Sequence, residues 1–185
     1  MMNTAVWANV FGVLGIVTTA VIYQQKENRK MLIWKLISDA LWIMHYLFLG
    51  AYSVAVVTVV ALVRSGVLLC QNHAWARHKA WLWIFLGSSL GLSLMAWKDW
   101  TSSLVAIGSL ACIIVFWMGI PRITRLVSIP VSVMFLMNVA LNGSVWGTLN
   151  ESFLLLSAVV GMIRLDRRTE SSGEKTFAEK RSESA

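Results

Sequence analysis

The chain has 185 residues, of which 57% are hydrophobic and only 14% charged, and it carries a net charge of +7 with a pI near 9.9. A hydrocarbon core of roughly 30 Å takes about 20 apolar residues per helix. Seven apolar segments of that size use up most of the sequence and leave no room for a separate soluble domain. No basic face with interleaved aromatics lies outside them, which argues against nucleic acid as a partner and for membrane lipids with anionic headgroups.

In chain order the predicted spans are 4–23, 31–50, 53–71, 80–97, 101–119, 124–141 and 149–164. Helices are the economical reading. An open strand in lipid leaves backbone groups unpaired, and the ten-residue alternation of an outer-membrane barrel is missing. The first span has neither a basic n-region nor a small-residue cleavage site, so it is expected to be retained. Lys26, Arg29 and Lys30 follow the first span, Arg77 and Lys79 the third, Arg122 and Arg125 the fifth, and Arg164, Arg167 and Arg168 the last. These are alternate connections on one side; the other side holds Lys98 beside Asp99. By the positive-inside rule the C-terminus is expected in the cytoplasm and the N-terminus outside. Cys70 and Cys112 offer neither a disulfide framework nor metal-ligand spacing, and no cofactor is expected. Residues 166–185 are too polar to build a core and read as a disordered cytoplasmic tail.

The two halves resemble each other at a shift of 93 positions. Gly15 meets Gly108, Tyr23 meets Phe116, Arg29 meets Arg122, Trp42 meets Phe135, Met44 meets Met137, His45 meets Asn138 and Gly50 meets Gly143. This predicts a three-helix repeat over 1–73, a linker helix over 74–99 and a second repeat over 100–165. Four crossings separate equivalent starts, so the repeats are expected to be parallel, about an axis along the membrane normal. That 3+1+3 plan of an all-α membrane protein resembles the SWEET and PQ-loop transporters. Tyr23-Gln24-Gln25, the basic residues after it, Leu41-Trp42 and Leu49-Gly50 look like a PQ-loop pattern whose proline is absent; Pro121 and Pro130 are the only prolines in the chain. A second resemblance covers nearly the whole sequence. His45, Leu49-Gly50-Ala51-Tyr52, Arg64, Gly143-Ser144, Gly147-Thr148, Glu151-Ser152-Phe153-Leu154-Leu155 and Ile163-Arg164 are similar to the YgjV family of bacterial inner-membrane proteins. The resemblance implies a seven-helix protein of the bacterial inner membrane, without implying an activity.

Charge at bilayer depth costs about 2.5–3.5 kcal/mol even on insertion scales. Asp39 lies about 12 Å along the second span and Arg64 about 21 Å along the third from Gly50, depths that let them meet. They are read either as a charged floor that offers a guanidinium fork to an anionic solute, or as internal ion pairs, Asp39 with Arg64 or with Lys35 at i, i+4. His45 and Asn138 occupy equivalent positions and are read either as two walls of a central site or as interhelical hydrogen-bonding groups. Trp42, three residues from both Asp39 and His45, is set by the repeat against Phe135. The two rings could stack on a solute or fill the core. Glu151 is read as the opening of the seventh helix, where a carboxylate suits the helix dipole, and as a secondary site candidate. The other tryptophans fall near span ends, as headgroup anchors do. Gly12, Gly15, Gly108, Ser128, Ser132 and the run from Gly87 to Gly91 suggest close helix packing.

The sequence holds no Gly-rich phosphate loop, no HExxH and no GxSxG, and an enzyme is not expected. Asp39 and His45 lie six residues apart, about 240° around a helix, so they do not share a face. Two functions fit. One is a small-solute transporter or facilitator with a site on the repeat axis, lined by Trp42, His45, Arg64, Asn138 and Phe135. The other is a non-transporting scaffold, sensor or accessory subunit that keeps the fold. Such a bundle is also compatible with self-association into a homo-oligomer.

Overall fold

The structure, a computed structural model, describes residues 2–95, 97 and 100–166. The expectations for Lys98, Asp99, Arg167, Arg168 and the tail lie outside the described residues. Within them the chain is all-helical: α1 (Met2–Ile22), α2 (Asn28–Phe48), α3 (Tyr52–Leu69), α4 (Ala80–Met95), α5 (Thr101–Met118), α6 (Pro121–Leu141) and α7 (Val145–Gly161), the last running into a π-helical turn over Met162–Asp166. α3 shows why lipid decides the outcome. It is rich in valine, a residue that favours strands in water, yet only a helix satisfies its backbone within one segment.

Asn28–Phe48, Thr101–Met118, Pro121–Leu141 and Val145–Leu165 are long and apolar enough to cross a membrane. Val6–Ile22, Val54–Leu69 and Ala80–Met95 are shorter apolar stretches, the first two lying within helices of 21 and 18 residues. At ~1.5 Å per residue the 16 residues of α4 cover about 24 Å. Local bilayer thinning can absorb such a mismatch, and Trp75, Trp83, Trp97 and Trp100 are exposed near the helix ends, where interfacial rings sit.

The turns carry the clearest internal likeness. α2 ends with Gly50 at φ 73° and α6 with Gly143 at φ 71°, left-handed positions that favour glycine. Leu49 N–H donates to His45 O, Gly50 N–H to Leu47 O and Ala51 N–H to Tyr46 O. At a shift of 93, Asn142 N–H donates to Asn138 O, Gly143 N–H to Ala140 O and Ser144 N–H to Val139 O. α6 starts on Pro121 in its first turn, where the missing N–H costs nothing. α7 starts at Val145 instead of 149, because the Ser144 hydroxyl caps it by accepting from Gly147 N–H at 3.2 Å. Glu151 is therefore in the second turn of α7, not at its opening.

α1 packs on α2, α2 on α3, α5 on α6, α6 on α7 and α4 on α5, and α1 also packs on α7. The fully apolar packing gathers at one end of the bundle, here termed the basic face because the α1–α2, α3–α4 and α5–α6 connections lie there. Ile22, Tyr23, Met31 and Ala158 form one cluster, Leu32, Leu68, Val115 and Phe116 a second, and Val67, Ala76, Phe85 and Ile113 a third. Arg125, expected as a loop charge, is buried there and its Nη1 donates to Gln25 O at 2.9 Å. Gln24 Nε2 donates to Ser157 O at 2.9 Å, and the Ser157 hydroxyl donates to Ala20 O.

Close packing occurs at some of the expected glycines and not at others. A Cβ on Gly15 would lie 3.1 Å from the Trp42 ring, and one on Gly108 would lie 2.7 Å from Phe135. Gly87 and Gly91 are exposed and a Cβ there would meet nothing. The expectation of close packing along α4 is thus corrected: α4 turns Gly87 and Gly91 away from the bundle.

Candidate functional site

Helical spacing gathers polar side chains in the middle of the bundle. On α2, Lys35, Ser38, Asp39 and Trp42 fall at i, i+3, i+4 and i+7, one face of a helix. On α6, Ser128, Val131, Ser132 and Phe135 repeat that spacing 93 positions on. These two faces, with Thr19, Ile22 and Tyr23 from α1 and its end, Arg64 from α3, Ser109, Cys112 and Phe116 from α5, and Asn150, Glu151 and Leu154 from α7, line a cavity of about 210 Å³. A space that large and that polar can hold water inside a membrane protein. Tyr23 and Phe116, which belong to the basic-face clusters, line it on that side.

The charges in the lining are only partly matched. Lys35 Nζ donates to Asp39 Oδ1 at 3.0 Å and to Oδ2 at 3.2 Å, and the Ser65 hydroxyl donates to Asp39 Oδ2 at 3.2 Å. Of the two ion pairs weighed for Asp39, the structure forms the one with Lys35. A neighbour on the same helix reaches the carboxylate, and Ser65, adjacent to Arg64 in sequence, takes the approach from α3. Among the described residues Arg64 has no carboxylate within ion-pair distance, although it lines the cavity. Glu151 is similarly open: its Oε1 accepts from Asn150 Nδ2 at 3.3 Å, while Oε2 is buried without a hydrogen-bond partner. Hydroxyl pairs complete the wall, with Thr19 Oγ1 and Ser38 Oγ 2.7 Å apart and Tyr23 O–H donating to Ser128 Oγ at 2.7 Å.

The residues singled out in the sequence therefore separate into two groups. Asp39, Trp42, Arg64, Phe135 and Glu151 come together around the cavity. His45 and Asn138 turn toward the neighbouring helix. His45 is fully buried with Nδ1 2.7 Å from Ala8 O; a carbonyl only accepts, so Nδ1 carries the proton. Asn138 Nδ2 donates to the Thr101 hydroxyl at 2.8 Å. Residues 8 and 101 are themselves 93 apart, so the tie of α2 to α1 and that of α6 to α5 recur at the same shift. Trp42, Tyr46 and Trp146 pack around His45, with ring centroids 5.0 to 5.6 Å away. Trp146, expected as a headgroup anchor, belongs to this aromatic group and also faces Gly12.

Sequence reasoning missed the hydroxyl-bearing lining, Thr19, Ser38, Ser109, Ser128 and Ser132, and gave Lys35 no place in the site. The signal was present: the pair Lys35 and Asp39 at i, i+4 meets Ser128 and Ser132 at the same spacing when the chain is shifted by 93.

A family described as bacterial inner membrane protein, Imp-YgjV, matches residues 6–169, which is most of the chain, and the chain belongs to that family. The match and the apolar helices together make it an integral membrane protein. No curated protein and no solved structure matches it.

Proposed function

We propose that this member of the bacterial inner-membrane YgjV family is a small-solute transporter or facilitator whose site is the central cavity. The observation that carries the proposal is the lining itself: six helices, three from each half, contribute to one polar space. Four charged side chains, two of each sign, Lys35, Asp39, Arg64 and Glu151, stand in it at bilayer depth, where each is costly unless it serves a partner or a ligand. Support for two parallel repeats with α4 as linker comes from the recurrence at 93 positions of the Gly50 and Gly143 turns, the Gly15–Trp42 and Gly108–Phe135 contacts, and the ties of His45 and Asn138. A site on the axis between such repeats is how SWEET-like and PQ-loop-like transporters are built. The positive-inside rule places the basic face in the cytoplasm and the start of α1 outside. The cavity is then sealed from the cytoplasm by the apolar clusters and by the bonds of Gln24, Ser157 and Arg125, and transport requires these to part as one half rocks against the other.

The test is the thermal stability of the purified protein across sugars, nucleosides and small organic acids. A ligand is expected to raise the midpoint of the native protein and of His45→Ala, which lies outside the cavity, but not of Arg64→Ala. If no compound shifts the native protein while Arg64→Ala alone lowers its midpoint sharply, the charges are structural and the non-transporting scaffold reading replaces this one.

A further inference from the structure

Lys35 and Asp39 satisfy each other, so they neither need a ligand nor discriminate among ligands. Set aside, they leave two charged groups in the cavity lining with no ion-pair partner among the described residues, and these are opposite in sign: the guanidinium of Arg64 on α3 and the carboxylate of Glu151 on α7. No ion pair joins them, and Glu151 Oε2 is buried with no hydrogen-bond partner. In the proposed repeat arrangement α3 and α7 are equivalent helices, which sets the two groups on opposite sides of the axis between the halves. We propose that the cavity selects a small zwitterion, with Arg64 holding its carboxylate and Glu151 its ammonium group. This rests on the reading of the cavity as a solute site and names the class of solute.

Electrostatics rank the alternatives. An uncharged sugar leaves both groups unpaired, and a simple anion or cation pairs one and leaves the other, whereas a zwitterion neutralises both and adds no net charge to the bilayer interior. The guanidinium supplies a planar fork for a carboxylate, and the open Oε2 supplies an acceptor for an ammonium. Size agrees: 210 Å³ falls below the roughly 300–1,000 Å³ of sites for drug-sized ligands. The spacing of the charges also has a direction. Arg64 lies about 18 Å along α3 from its start, and Glu151 about 9 Å along α7, both helices starting on the same face. The two charges are thus staggered in depth. Side chains tilt toward their helix N-terminus, so the longer arginine recovers part of the offset. A solute whose charges are several bonds apart fits the stagger better than one whose charges flank a single carbon.

Equilibrium binding to the purified full chain in lipid nanodiscs tests this with five probes: γ-aminobutyrate, glycine, butyrate, butylamine and glucose. γ-Aminobutyrate is expected to bind most tightly, glycine less so, and the three others about tenfold or more weakly than γ-aminobutyrate, the loss of one charged hydrogen-bond partner. Glu151→Gln is expected to weaken γ-aminobutyrate about tenfold while sparing butyrate, and Arg64→Gln to weaken it similarly while sparing butylamine. Should Arg64→Gln fail to fold, Arg64→Lys keeps the charge without the fork, and Glu151→Gln still gives the decisive comparison. Butyrate, butylamine or glucose binding as tightly as γ-aminobutyrate, or an unchanged γ-aminobutyrate affinity in Glu151→Gln, overturns the zwitterion. If the thermal panel yields an Arg64-dependent ligand and neither zwitterion binds, the selection falls and the central site stands. If no compound binds in either experiment, both fall.

Discussion

Replacing Lys35 by methionine tests whether the charged pair in the cavity wall is structural. The substitution keeps the length and apolar stem of the side chain and removes only the ammonium, so little packing is lost. Side-chain exposure is 20% for Lys35 and 11% for Asp39, so neither charge is well screened by bulk water. With Lys35 gone, Asp39 keeps only the Ser65 hydroxyl at 3.2 Å. Two independent scales give the cost. Breaking a buried pair by removing one partner costs about 3–5 kcal/mol, and an unpaired carboxylate at the centre of a span costs about 2.5–3.5 kcal/mol. An ordinary interhelical hydrogen bond, by contrast, averages about 0.6 kcal/mol. The expected loss is therefore about 3 kcal/mol for Lys35→Met, with most of it recovered in Lys35→Met combined with Asp39→Leu, because the orphaned charge goes too. A double-mutant cycle read by reversible unfolding in mixed detergent micelles measures this. A single variant within about 0.5 kcal/mol of the native protein, or a double variant no more stable than the single, would refute the reasoning and return Asp39 to the set of groups open to a ligand.

The glycines make a matched comparison: Gly108→Ala is expected to cost about 1–3 kcal/mol by overpacking against Phe135, whereas Gly87→Ala, with nothing near its Cβ, is expected to be neutral or to stabilise by up to about 1 kcal/mol through helix propensity. Equal effects in the same unfolding assay would contradict the packing described. His45→Leu is expected to lose about 1 kcal/mol with the bond to Ala8 O, and His45→Asn, the residue found at 138, to lose less; a reversed order counts against the equivalence of the two ties. Gly161→Ala drives a methyl group into the Tyr23 carbonyl and to 3.0 Å from the Arg125 side chain, so it is expected to lower the thermal midpoint by loosening the basic-face seal. An unchanged midpoint would show that this seal gives way easily.

The sequence made the helices legible because apolar length and alternate basic connections are long-range signals that side-chain detail does not blur. α7 shifted because its first turn, Val145-Trp146-Gly147, reads as a loop until Ser144 is seen to cap Gly147 N–H. For the site, Arg64, Asp39, Trp42, Phe135 and Glu151 stood out as polar or aromatic groups at depth, and depth is readable by counting residues. Azimuth was legible for His45 as well, six residues or about 240° around α2 from Asp39, but the match of His45 with Asn138 in the repeat set it in the site, whereas the imidazole turns onto α1 while Asp39 faces the cavity. The choice between Lys35 and Arg64 as partner of Asp39 was not legible at all, since it depends on which side chain arrives first at a shared depth. The open face of α4 was missed because a run of small residues looks the same whether it meets a helix or lipid.

The central claim is that the cavity is a water-accessible solute site between the two halves, and Cys112 reports on it. Cys112 and Cys70 are free thiols, and Cys112 lines the cavity. In a Cys70→Ala background, the rate of Cys112 modification by a small membrane-impermeant thiosulfonate should be measured from each face, in right-side-out and inverted vesicles, with and without a bound solute. A transporter that alternates access predicts modification from both faces, slowed when the cavity is occupied. A Cys112 that reacts from neither face until the protein is unfolded would contradict the account and leave a closed, structural core.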